Sequence, residues 1–157
     1  MKTHTITTYG IQELSDEAFR HAIDSNRDWN LQHDWWDYIY ADAADIGLKI
    51  TGFDLDRGAY CEGELTDSTK EVATNILREH GPTTDTYKLA EEFLKHWPAK
   101  TEEDGDERDS NFKETLCALY LKTLRLDRDY LSEEDAIAEN MEANEAEFLE
   151  DGTLYTL

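Results

Sequence analysis

"LKITGFDLDRGAYCEGEL", residues 48–65, is the stretch on which the fold turns. Ile50, Gly52 and Phe53 alternate toward Leu55, a turn falls near Asp56-Arg57-Gly58, and Tyr60 to Leu65 returns. That is the pattern of a β-hairpin. Gly52 and Gly63 inside its strands mark a bulge or a close approach of backbones.

Working outward, "DWWDYIYADAADIG" (34–47) predicts a helix with Trp36, Ile39, Ala43 and Ile46 on one face, ended by Gly47. Before it, "LSDEAFRHAIDS" (14–25) predicts another, with Ser15 as N-cap and Asp16 and Glu17 in its first turn. Its apolar stripe is Leu14, Ala18, Ala22 and Ile23. "THTITTYG" (3–10) alternates β-branched residues and stops at a glycine, as a strand does. Downstream, Ser68 with Glu71 forms a capping box that opens "STKEVATNILREHG" (68–81), closed by Gly81 and Pro82. A further helix runs from about Thr84 to Trp97 and ends before Pro98. "KTEEDGDERDS" (100–110) reads as a charged loop, and "NFKETLCALYLKTLRL" (111–126) as a helix with Phe112, Leu116, Leu119 and Tyr120 inward. Ser132 then caps "EEDAIAENMEANE", and "EFLEDGTLYTL" carries the hairpin signal Asp151-Gly152.

The order is β-α-α-β-β-α-α-α-α-β-β. It predicts one α+β domain over residues 1–157, a small antiparallel sheet covered by helices on one face. The N-terminal strand and C-terminal hairpin are expected to join the central hairpin in that sheet and bring the chain ends together.

At 157 residues the chain suits one domain, and 39% hydrophobic residues, including 17 aromatics, exclude a disordered polyanion. Asp and Glu number 37 against 15 Lys and Arg, a formal net charge of −22. That charge opposes approach to nucleic acid or to an anionic membrane and favours a basic protein partner. Cys61 and Cys117 fit no metal spacing, and Cys117 sits in an apolar helical run as a small hydrophobe. Free thiols without a signal peptide point to the cytoplasm. No apolar run reaches the length of a membrane span.

Three constellations bear on chemistry. "HDWWD" sets His33 beside Asp34 and Asp37, a base with its orienter, but no nucleophile motif or phosphate-binding glycine loop accompanies it. Asp54 and Asp56 share one face of the hairpin, Glu62 and Glu64 one face of its second strand. Four such oxygens form the start of a cation site, where about six are needed, or else a solvated sheet face. A calcium loop begun at Asp104 fails because Arg108 and Thr115 stand at ligand positions. No catalytic residue, metal or cofactor is expected.

The acidic C-terminal quarter is the strongest functional signal. Eleven carboxylates lie between Asp127 and Asp151, against Arg128 alone. On a helix Asp135, Glu139 and Glu142 fall at i, i+4 and i+7, about 6 Å and about 4.5 Å apart along the axis. Duplex phosphates advance about 3.4 Å per strand, a comparable spacing, so such a face can occupy a site evolved for nucleic acid. Glu145 and Glu147 extend the patch, and an exposed Trp35 or Tyr155 would anchor its register.

"ELSDEAFRHAIDSNRD", "DWWDYIYADAADIGLKITGFDLDRG", "YCEGEL" and "IAENMEANEAEFLEDGTLY" resemble a group of small acidic proteins of phages and mobile elements, some labelled antitoxin of a toxin–antitoxin stability system. Larger members have a longer Gly-rich hairpin ahead of a Cys-Phe-Glu-Gly stretch; here the hairpin is compact and Glu62 follows Cys61 directly. The resemblance supplies no catalytic residue. It implies a setting where small acidic proteins neutralise host or toxin proteins. The expected function is a non-enzymatic, DNA-mimic-like inhibitor of a basic host-defence protein, anti-CRISPR or anti-restriction. The alternatives are an antitoxin that caps a basic toxin, and a small metal-dependent enzyme using the hairpin carboxylates.

Overall fold

The computed structural model describes residues 1–156. The chain mixes helix and strand and gathers into two compact units, one from residues 36–126 and one from residues 1–35 with 127–157.

In the 36–126 unit, helix α1 (Asp37–Ile46) buries Ile39, Ala43 and Ile46. It ends at Gly47 in the left-handed region (φ +98°), where a Cβ would crowd Val72 and Asp67. Strands β1 (Leu48–Asp54) and β2 (Tyr60–Leu65) pair antiparallel, from Leu48 opposite Leu65 to Asp54 opposite Tyr60, with a bulge between Ile50 and Gly52. Gly63 is required there, because a Cβ would lie 2.6 Å from the Lys49 carbonyl oxygen. Leu48 and Ile50 point inward while Lys49 and Thr51 face solvent; each buried aliphatic contributes about 1.5–3 kcal/mol. The Phe53 ring meets Trp36 edge-on at 5.4 Å and Tyr40 at 6.2 Å, fastening α1 to the hairpin.

Helix α2 (Thr69–Glu79) starts where the Ser68 hydroxyl accepts the Glu71 N–H. Its buried face is Val72, Ala73 and Ile76. It packs against α3 (Asp85–Lys95), which Thr84 caps. Helix α4 (Glu102–Leu131) buries Phe112, Leu116, Cys117, Tyr120 and Leu124, and the Phe93 ring of α3 meets Phe112 at a tilt of 48° with ring centroids 4.7 Å apart.

The other unit holds α5 (Asp16–Ser25), capped by Ser15, and α6 (Glu134–Ala143). Ile11, Ala22, Ile23, Ile137, Ala138, Met141 and Phe148 form its core. For chain order the helices of this unit flank the other in sequence, α5 before α1 and α6 last.

Four expectations are corrected. The segment before Tyr9 forms no strand: residues 1–7 are all exposed, so their alternation has no face to bury, and only Tyr9 pairs, in a single bridge to Phe148. The C-terminal turn forms around Asp151-Gly152, with the Leu149 N–H donating to the Thr153 carbonyl, yet the pairing stops at one bridge, Phe148 to Leu154. The sheet among the described residues is therefore the two-stranded β1-β2 pair, not one sheet joined by both chain ends. Residues 102–110, expected as a loop, are the first turns of α4. The Thr101 hydroxyl accepts the Asp104 N–H at 3.0 Å, Glu102, Glu103 and Asp104 sit favourably at the helix N-terminus, and the Arg108 guanidinium lies over the rings of Phe93 and Trp97 at 5.0 and 4.9 Å. Finally, α6 is preceded by Glu133, not capped by Ser132, whose hydroxyl donates back to the Arg128 carbonyl.

Candidate functional site: an acidic helix face and a cleft around Asp42

The unit made of residues 1–35 and 127–157 carries seventeen Asp and Glu against four Lys and Arg. Helix α6 sorts these charges by its period. Ala136, Ile137, Ala138 and Met141 go into the core, which leaves Asp135, Glu139 and Glu142 exposed on the opposite side. Glu145 is exposed in the turn that ends the helix, in the left-handed region (φ +54°). Glu147 is exposed as well; its carboxylate accepts the Thr8 hydroxyl at 3.3 Å, and its carbonyl accepts the Tyr155 N–H. The three α6 carboxylates thus share one face, and the other two follow on the adjoining turn. One basic group is committed nearby, since Arg20 of α5 pairs with Glu134. Asp151 accepts the Thr153 N–H, which holds its carboxyl below the ordinary range.

The expected aromatic anchors differ. Trp35 and Tyr155 are half-buried, so neither is an exposed anchor. Tyr130, in the last turns of α4 between acidic neighbours, is 55% exposed and is the large aromatic that this unit presents.

The other sequence candidates do not assemble. His33, Asp34 and Asp37 are all exposed. Asp54 is occupied in its own turn, accepting the Asp56 N–H at 2.8 Å, while Glu64 stands opposite Lys49 and Glu62 opposite Gly52. Among the described residues no group of three or more His, Cys, Asp or Glu side chains is placed to hold a metal ion.

A cleft of about 520 Å³ in the 36–126 unit was not foreseen. It lies between α1, the α2–α3 loop and α4. His80, at the end of α2, is nine-tenths buried in it. One ring nitrogen, Nδ1, is 2.5 Å from the Thr86 hydroxyl; the other, Nε2, approaches Asp42 Oδ2 at 3.2 Å. The second approach is too far off-line to count as a directed hydrogen bond. The Tyr120 hydroxyl donates to the same Asp42 oxygen at 2.8 Å. His80 and then Tyr120 hold the Asp42 carboxyl below its ordinary range against partial burial, while burial and the Asp42 charge push the Tyr120 phenol up. No motif announces this relay, because its members Asp42, His80, Thr86 and Tyr120 belong to four different helices, His80 as the C-cap of its own.

Cys61 of β2 and Cys117 of α4 carry free thiols that perturb one another's ionisation. Cys61 draws the Cys117 thiol down to about 7 despite burial, with Lys113 one turn away assisting, and Cys117 with burial pushes Cys61 up.

No family model, curated protein or solved structure matches the chain.

Proposed function

We propose that this protein is a non-enzymatic inhibitor that docks its acidic face on the nucleic-acid-binding surface of a basic host-defence protein, of the anti-CRISPR or anti-restriction kind, in the cytoplasm of the host. The observation that carries the reading is the α6 face: Asp135, Glu139 and Glu142 are all exposed and backed by a packed apolar core. Carboxylates fixed on a rigid element bind a basic groove without the ordering cost that a floppy acidic tail incurs. Their spacing is close enough to that of phosphates for the partner's Lys and Arg to engage them in the same groove. The net charge of −22 steers such an encounter and disfavours direct binding to nucleic acid.

The test is competition. Increasing amounts of the protein are added to restriction and CRISPR effector complexes preloaded with fluorescent duplex DNA, at low and physiological salt. Release of the DNA from at least one complex, at micromolar protein or below and weaker at higher salt, is expected. A panel in which no complex releases DNA overturns the reading. The resemblance to antitoxin-labelled proteins favours a second occupant of the same face, a basic toxin; rescue of growth from a co-expressed toxin, with no DNA release in the panel, would select it.

A further inference from the structure

We propose that the cleft around Asp42 is a receptor for one arginine side chain of a protein partner, its guanidinium seated on the Asp42 carboxylate. The proposal deepens the reading of a basic partner and rests on it for the source of the arginine.

The cleft has the size of a ligand site, about 300–1,000 Å³ in general, at about 520 Å³. Asp42 is its fixed charge. The Tyr120 hydroxyl and His80 both hold Oδ2, so the carboxylate is oriented before anything binds. An ionised carboxylate has about four acceptor positions, and Oδ1 has no hydrogen-bond partner among the described residues. Asp42 is 52% exposed, which leaves it reachable.

The surroundings select the kind of cation. Tyr38 lies one turn before Asp42 on α1 and is 59% exposed; Leu126 of α4 is 61% exposed. A large aromatic and a large aliphatic flanking a carboxylate suit a side chain with an apolar stem and a planar, weakly hydrated charge. Arginine has both, whereas the lysine ammonium is a compact and strongly hydrated point charge. Asp85 adds a second carboxylate to the lining. Its pairing with Lys122 at 3.2 Å is exposed on both sides, so an incoming guanidinium can exchange for it at little cost. An anion is disfavoured by the two carboxylates and by the field of the whole chain.

The experiment uses the full chain and three small probes: N-acetyl-arginine amide, N-acetyl-lysine amide and the neutral N-acetyl-citrulline amide. Ring resonances of His80 and Tyr38 are followed by NMR during titration. The arginine probe should shift both saturably in the millimolar range, with lysine weaker and citrulline inert. Asp42→Asn should weaken arginine binding about tenfold or more, as loss of a hydrogen bond to a charged group does. Tyr38→Ala, at an exposed position that leaves the fold intact, should weaken it by about two- to fivefold. Equal response to citrulline, no shift of either ring, or binding unchanged in both variants overturns the proposal. Reversal of Glu139 and Glu142 to Lys should leave the titration unchanged, so DNA release can fail while the cleft proposal stands, and the converse.

Discussion

Tyr9 and Phe148 exchange both of their backbone hydrogen bonds, each 2.8 Å long, and so tie the start of the chain to its end. Phe148 is fully buried among Ile11, Ile23, Ile137 and Met141, and the bridge sets its position. Phe148→Ala should therefore cost about 3–5 kcal/mol, the range for a buried aromatic truncated to a cavity. Removal of residues 1–7, all exposed, should change stability by no more than about 0.5 kcal/mol. Urea midpoints of the three proteins decide it; a large loss on removing the first seven residues would place a contact there that the fold does not account for.

Gly152 is held where no other residue fits. Its φ is +89°, and a Cβ would lie 2.1 Å from the Ala18 carbonyl oxygen. Gly152→Ala should destabilise by well over about 1 kcal/mol, because backbone strain adds to the clash. Gly58 has a similar sign of φ, +59°, but open space around it. Gly58→Asn should be nearly neutral, since asparagine enters the left-handed region readily. Comparable losses at the two positions would mean that φ alone, not the approach of Ala18, governs Gly152.

Much of this architecture was legible from local chemistry. The helix caps at Ser15, Ser68 and Gly47 and the bulged hairpin lie where the residues imply, because a cap or a bulge is decided within four or five neighbours. The misreadings come from distance. Alternation over residues 3–8 looks like a strand until one asks which surface covers it, and none does. The acidic run at 102–110 looks like a loop until Arg108 finds the rings of Phe93 and Trp97. The α6 acidic face was legible from helical period alone. The Asp42–His80–Thr86 relay was not, since nothing local links residue 42 to residue 80.

Asp42 gives the relay a pH signature. Its folded value lies below its unfolded value of about 3.8, held there by His80 and Tyr120. In that window the unfolded chain binds more protons than the folded one, so stability rises with pH. The contribution is complete above the ordinary carboxylate value and is lost as pH falls through the folded value. Asp42→Asn should flatten this part of the profile, with urea midpoints between pH 6 and pH 3 converging on those of the wild type at the acid end. Parallel profiles would show that Asp42 is not depressed.

The thiol pair should titrate as a unit. With each thiol perturbing the other, Cys117 loses its proton near 7 and Cys61 stays protonated above the ordinary thiol range. Thiolate absorbance near 240 nm should therefore rise by one thiolate around pH 7, with the second delayed. In Cys61→Ala the remaining ionisation should move upward, since the neighbour that lowered it is gone while burial persists. A single unshifted step in both proteins would contradict the pairing.

The acidic face calls for a control that separates place from total charge. Reversing Glu139 and Glu142 to Lys changes the exposed side of α6 and leaves Ala136, Ile137, Ala138 and Met141 packed, so the fold should hold. Glu13 is a poor control on the same unit, because its carboxylate accepts the Gly10 N–H at 2.8 Å and braces the turn before α5. Glu91 on α3 and Glu107 on α4 are both exposed and lie in the other unit, and reversing them changes net charge by the same amount. For a partner found by DNA release, the Glu139/Glu142 pair should slow association by about tenfold at low salt, within the span that electrostatic steering covers. The Glu91/Glu107 pair should slow it far less. Exposed charges farther apart than about 10 Å are largely screened at 0.1 M salt, so the Glu91/Glu107 effect should vanish first as salt rises toward that value, while the Glu139/Glu142 effect shrinks but persists. Tyr130→Ala should act on the other half of the reaction, speeding dissociation with little change in association, as loss of a buried aromatic contact does. Equal slowing by the two charge reversals would assign the effect to net charge alone and remove α6 as the docking face.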